Sequence, residues 1–128
     1  MILLDTCTLL WLTAKQDQLT TNARNAIGSH ANSLFISAIS AFEIATKVNK
    51  NLLELPLPPQ EWLNQAIHLH GLTELPIDSE IALYSTQLPA IHKDPADRII
   101  IATAHKYHLY ILTPDQHISA YPQTKIIW

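Results

Sequence analysis

The chain sets acidic residues where carboxylates can do chemistry. Asp5 closes the apolar run "MILLD", Glu43 sits in "SAFEIATK", Asp94 and Asp97 stand three apart in "HKDPADRIIIATA", and Asp115 lies in "LTPDQHI". Each has a purely structural reading. Asp5 can cap the helix that follows it. Ser40 and Glu43 have the Ser-x-x-Glu spacing of a capping box, with Lys47 one turn later to pair with the acid. Asp94 precedes Pro95, as an N-cap precedes a proline at the first helical position. Asp97 falls in the first turn, where the helix dipole favours an acid. Asp115 follows Pro114, which suits a turn.

Taken together the acids ask for more. Residues three apart on a helix share a face, so Asp94 and Asp97 can address one site. Carboxylates gathered in one pocket repel each other and retain protons. A divalent cation removes that conflict, and an all-oxygen donor set favours Mg2+ or Mn2+ over Zn2+. Mg2+ keeps several waters, one of which can serve as nucleophile for phosphodiester hydrolysis. Other residues offer less. The pairs His68 with His70 and His105 with His108 lack a cysteine or carboxylate arrangement for zinc and read as surface histidines. His117 lies near enough to Asp115 in sequence to touch a substrate. Cys7 reads as a packed thiol, since Thr13 stands where a phosphatase nucleophile would want its arginine. Trp11, Trp62 and Trp128 read as core or interface residues.

The elements that must position these acids can be read from punctuation and apolar runs. "MILLD", "SLFIS", "LTELPI", "LYILT" and "TKIIW" are short apolar stretches that predict strands. Between them "TLLWLTAK", "LTTNARNAIGSH" and "SAISAFEIATKVNK" predict helices, the second capped by Thr20 or Thr21 and the third opened by Ser37 or Ser40. "LPLPPQEWLNQAIHLHG" begins with prolines and stops at Gly71, "DSEIALYSTQLP" is capped by Asp78, and "DPADRIIIATAHKYH" by Asp94. The strands are continuous apolar runs, not alternations, and they alternate with helices. That predicts an α/β fold, a parallel sheet covered by helices on both faces. Ligands in such sheets bind beyond the carboxyl ends of the strands, where strand order switches. Asp5 ends the first predicted strand, Asp115 lies just past the fourth, and Glu43 and Asp97 sit on flanking helices, so four distant acids can meet at one sheet edge.

Composition narrows the function. A length of 128 residues predicts a single domain, residues 1–128, and 48% apolar residues give it a core. The net charge of −3 argues against non-specific nucleic-acid binding by charge, but leaves room for an acidic pocket with a local basic rim. One cysteine allows no internal disulfide, which fits a reducing cytoplasm. The amino-terminal residues lack a signal peptide's basic region, and no apolar run reaches the roughly 18 residues of a membrane span, so a soluble cytoplasmic protein is expected. Two glycines cannot build a phosphate-cradling loop, and G-x-S-x-G is absent.

The stretches "MILLDTCTLLWL", "ISAISAFEIATK", "DPADRIIIATA" and "ILTPDQHI", in this order and followed by the final "IIW", resemble the PIN-domain ribonuclease toxins of the VapC type. The resemblance runs over almost the whole chain. It implies a three-layer α/β/α sandwich with a parallel sheet of about five strands. It further implies Mg2+- or Mn2+-dependent RNA endonuclease activity, neutralised by a small VapB-type antitoxin, with homodimerisation as a family expectation. The family's four acids carry over to Asp5, Glu43, Asp97 and Asp115. Asp94 belongs to the "DPxDR" variant as a cap or an auxiliary ligand. Of the hydroxyls near the acids (Thr6, Ser37 and Thr113), Thr113 is preferred for orienting the last acid. In the mechanism so implied, Asp5 and Asp97 anchor the metal, while Glu43 and Asp115 complete the shell and orient or deprotonate water. Lys47, Lys93 and Arg98 can form a positive rim for RNA or, alternatively, salt bridges to the same acids. Two other classes compete: a PIN-like module that binds without cutting, and a different Mg2+-dependent phosphohydrolase. The dehalogenase-type phosphatases want a second acid at position 7, where Cys7 stands. A phospho-receiver wants an acid pair at the end of the first strand, where only Asp5 is found.

Overall fold

The computed structural model describes residues 1–128. Five strands, β1 (Ile2–Leu4), β2 (Leu34–Ser37), β3 (Leu72–Leu75), β4 (Tyr110–Leu112) and β5 (Ile126–Ile127), make one sheet in the order β3-β2-β1-β4-β5. Every neighbouring pair is parallel. Between the strands run α1 (Thr6–Ala14), α2 (Thr21–Ser29), α3 (Ala38–Asn49), α4 (Pro59–His70), α5 (Ser79–Gln87), α6 (Pro95–Tyr107) and the short α7 (Gln116–Ser119). The parallel sheet read from the apolar runs is therefore present, though its last strand is two residues where "TKIIW" predicts five. No helix is long and apolar enough to cross a membrane.

Alternation along β1 builds two cores at once. Successive strand residues point to opposite faces. Ile2 and Leu4 join Leu34 and Ile36 of β2 in a cluster with Leu9 and Leu12 of α1, Ile44 of α3, and Trp62 and Leu63 of α4. Leu3, between them, joins Ile111 of β4 in a second cluster with Ile100, Ile101 and Ala104 of α6 and Ile118 of α7. All three β1 residues are fully buried, as a central strand of a doubly covered sheet requires.

Strand order reverses between β1 and β4. β2 and β3 extend the sheet to one side of β1, whereas β4 and β5 extend it to the other. Loops leaving β1 and β4 at their carboxyl ends diverge to opposite faces and leave a crevice between them. The register pairs Leu4 with Leu112, so the next residues, Asp5 and Thr113, meet at the crevice floor. Thr8 Oγ1 donates to the Leu112 carbonyl at 2.9 Å and ties α1 to the end of β4.

Helix punctuation follows the sequence closely, with two corrections. Thr20, Asp78 and Asp94 cap α2, α5 and α6 through their side chains, and Gly71 ends α4 at φ 61°, the left-handed region. The cap of α3 is Ser37, whose Oγ accepts from Ile39 N at 3.1 Å. Ser40 is not a cap, and no Ser40–Glu43 capping box forms, because the helix begins one turn earlier than that spacing assumes. The second correction is α7, where the sequence suggests only a turn; Asp115 caps it.

Candidate metal centre

Asp5 is held as a strand-end acid and a helix cap together. It is 4% exposed. Its Oδ1 accepts from Thr8 N at 2.8 Å, and its Oδ2 accepts from the Thr113 hydroxyl. Burial raises its pKa above the ordinary carboxylate value, more than the bonds from Thr113 and Thr8 lower it, and the charge of Asp115 pushes the same way. Thr113 Oγ1 in turn accepts from Asp115 N at 3.0 Å. One hydroxyl thus fixes the carboxylate of the first acid and the backbone of the last. The sequence suggests Thr113 for the last acid, and its side-chain bond goes to the first.

Freed from capping, Glu43 faces the same crevice from α3. Thr6 Oγ1 donates to Glu43 Oε1 at 2.5 Å and shares a 2.8 Å hydrogen bond with Ser40 Oγ. These contacts bridge α1 to α3 beside Asp5. Burial raises the Glu43 pKa, the bond from Thr6 opposes it, and Asp94 and Asp5 add to the rise.

Asp94 and Asp97 divide the two roles open to them. Asp94 Oδ1 accepts from Ala96 N at 2.9 Å and starts α6, with Pro95 at the first helical position. Asp97, one turn in, points its carboxylate into the crevice, with its side chain 16% exposed. Its pKa is pushed up to about 6, first by burial and then by the charge of Asp94; Glu43 and Asp115 add smaller pushes in the same direction, and a hydrogen bond with His92 opposes them. Asp115 accepts from His117 N at 2.8 Å through Oδ1. The charges of Asp94, Glu43 and Asp115 act on Asp97, those of Asp94 and Asp5 on Glu43, and that of Asp115 on Asp5.

His92 is the residue that reading the sequence misses. Its Nε2 lies 2.8 Å from Asp97 Oδ2. No motif announces it, because the contact depends on how the turn before α6 folds back. Tyr121 and Arg98 make that turn. The His92 N–H donates to Tyr121 Oη at 2.8 Å, and Arg98 Nη1 donates to the His92 carbonyl at 3.3 Å.

The basic residues near the motifs separate by environment. Lys47 and Lys93 are exposed, and neither forms an ion pair. The salt bridges to the acids, posed as the alternative to an RNA rim, do not form for Lys47, Lys93 or Arg98. Arg98 instead donates to the carbonyls of Ser85, Leu88, Pro89 and His92 and to Tyr121 Oη. Its guanidinium joins the end of α5 to the start of α6.

No lysine or arginine forms an ion pair with any of the five carboxylates. Burial holds Asp5, Glu43 and Asp97 above the usual carboxylate pKa, of the cations only Lys47 eases it, at Glu43, and a divalent cation would favour their ionised forms. The donor set fits a hard ion: Asp5, Glu43, Asp97 and Asp115 offer carboxylate oxygens from four different elements, and hydrogen bonds from Thr113 and Thr6 orient two of them.

A family model for the PIN domain matches residues 2–123. The sequence is 33% identical to Ribonuclease VapC22 of Mycobacterium tuberculosis, over 99% of this chain and 98% of that protein. Among solved structures, VapBC2 from Rickettsia felis, bound to a DNA fragment from its promoter, is similar with a TM-score of 0.73 at 18% identity, covering 98% of this chain and 97% of that one. A toxin–antitoxin complex from Klebsiella pneumoniae is similar with a TM-score of 0.66 at 22% identity, covering 95% and 93%. At those identities the two structures speak for the fold.

Proposed function

The chain belongs to the PIN-domain family, and on that premise we propose that it is a metal-dependent RNA endonuclease, the toxin of a toxin–antitoxin pair. The observation that carries the reading is a crevice of carboxylates at the switch point of the sheet with no lysine or arginine paired to any of them. RNA as substrate is supported by the ribonuclease at 33% identity, and a small antitoxin as partner by the toxin–antitoxin complex of like fold.

Bound in the crevice, Mg2+ or Mn2+ supplies positive charge to the phosphoryl oxygens of the substrate. Asp5 and Asp97 would hold the ion, and Asp115 would complete the donor set from across the switch point. Thr113 keeps the Asp5 carboxylate turned toward the ion. Thr6 holds one oxygen of Glu43, which leaves the other to accept a proton from the attacking water. Asp94 stays the cap of α6 and adds negative charge beside Asp97. Lys47 and Lys93, exposed at the rim, meet the RNA phosphates.

The test is direct. The purified chain should cleave RNA with Mg2+ or Mn2+, and chelation or Asp5→Asn should abolish cleavage. Full activity of a folded Asp5→Asn variant overturns the assignment. Expression alone should arrest growth, and co-expression of a small adjacent gene should relieve it.

A further inference from the structure

Two imidazoles stand among the acids, and neither belongs to the carboxylate set. His92 is fixed from behind. Its N–H and carbonyl are both engaged by Tyr121 Oη, at 2.8 and 3.2 Å, and Arg98 holds the same carbonyl. That leaves its ring facing Asp97. His117, on α7, is 67% exposed and sets Nδ1 3.3 Å from Asp115 Oδ1. The two rings stack, with centroids 4.8 Å apart and planes inclined by 23°. His92, Asp115 and His117 each bring one donor atom within 4.8 Å of the other two.

We infer that His92, His117 and Asp115 form a mixed nitrogen–oxygen position that takes a first-row transition-metal ion of the Mn2+, Co2+ or Zn2+ class in preference to Mg2+. The inference rests on reading the neighbouring carboxylates as a metal centre. It shares Asp115 with them, and its two imidazole nitrogens give it a different metal preference. Mg2+ wants oxygen donors and gives up its waters reluctantly. Imidazole suits the later transition metals, and affinity for such donors rises from Mn2+ through Co2+. Two nitrogens beside one carboxylate are the donor types that zinc sites use, at about 2.0–2.2 Å from the ion. Donors bound to one ion at that length are roughly 3–4 Å apart, less than the present spread. The exposed His117 closes the difference by rotating about its side-chain bonds, which nothing but the stack and Asp115 restrains. His92 needs no movement of its backbone, because Tyr121 and Arg98 already hold it.

The experiment uses the chain without a histidine tag, stripped by chelator and kept in excess Mg2+. Titration with Co2+ should develop visible d–d absorption and hyperfine-shifted imidazole N–H proton resonances. In the His92→Gln/His117→Gln double variant those resonances should vanish, and Co2+ and Zn2+ affinity should fall on the order of 10–100-fold or more. His117→Gln alone, at a largely exposed position, should give an intermediate loss and guards against a misfolded double variant. Absent imidazole resonances in the natural chain, or unchanged affinity in both variants, overturn the inference. A chain that binds Co2+ through these histidines but leaves RNA intact sinks the nuclease reading and spares this one. A chain that cuts RNA and holds Co2+ equally well without the histidines does the reverse.

Discussion

Thr113 touches two acids with one hydroxyl, donating to the Asp5 carboxylate and accepting from the Asp115 backbone. Thr113→Val keeps the shape and removes both bonds. Groups that orient metal ligands cost about 10–100-fold in metal affinity or activity when lost. RNA cleavage at limiting Mg2+ should therefore fall by that amount, and saturating metal should recover part of it. An unchanged metal dependence would show that the hydroxyl does not orient the acids. At this scale the acids themselves are legible in the sequence, because a carboxylate closing an apolar strand or opening a helix stands out. Their partners are less so. The Asp5–Thr113 bond spans 108 residues and exists only because β1 and β4 are neighbours. His92 heads "HKDPADRIIIATA" unremarked, and its bond to Asp97 needs Tyr121, 29 residues further on, to shape the turn.

At the scale of elements, Arg98 shows how a charge beside a motif can serve the scaffold. It joins the carbonyls at the end of α5, which α5 itself leaves unpaired, to the turn that presents His92. Arg98→Ala strands the buried Ser85 and Leu88 carbonyls, while those of Pro89 and His92 keep the Ile91 N–H and Tyr121 Oη. It should cost roughly 2–4 kcal/mol of stability, within the range for losing a hydrogen-bonded charge among buried acceptors. Arg98→Lys should restore little, since an ammonium cannot fork across carbonyls spread over two elements. Urea unfolding of the three proteins checks this; equal midpoints would return Arg98 to the solvent-facing RNA rim. The caps of α2, α5 and α6 are readable because each is a local matter of a polar side chain and the next turn. The Ser40–Glu43 box is misread for the converse reason. Its spacing is right, but tertiary contact with Thr6 occupies both side chains and the helix starts at Ser37 instead.

For the whole molecule, the parallel sheet is legible because buried strands need unbroken apolar runs. The strand order that creates the crevice leaves no local trace. Its consequence can be measured through pH. Asp5, Glu43 and Asp97 all hold their protons above the ordinary carboxylate range, Asp97 up to about 6 from 3.8, with burial the largest cause for each. Between those two values the folded chain binds more protons than the unfolded chain, so the free energy of unfolding falls as pH rises. This contribution is complete below 3.8 and is lost on passing 6. Other groups run the opposite way: the bond from Lys106 lowers the pKa of Asp78 and favours folding at higher pH. The slope due to the crevice is therefore isolated by comparison with Asp97→Asn, which cannot titrate there. Without metal, the natural chain should lose stability relative to Asp97→Asn from pH 4 to 6.5. Mn2+ at a hundredfold excess over its pH 7 Kd should then stabilise the natural chain by about 2.7 kcal/mol at pH 7, and the same concentration by less at pH 4.5. Parallel pH curves for the two proteins, or equal Mn2+ stabilisation at both pH values, would mean that Asp97 does not ionise to meet a cation.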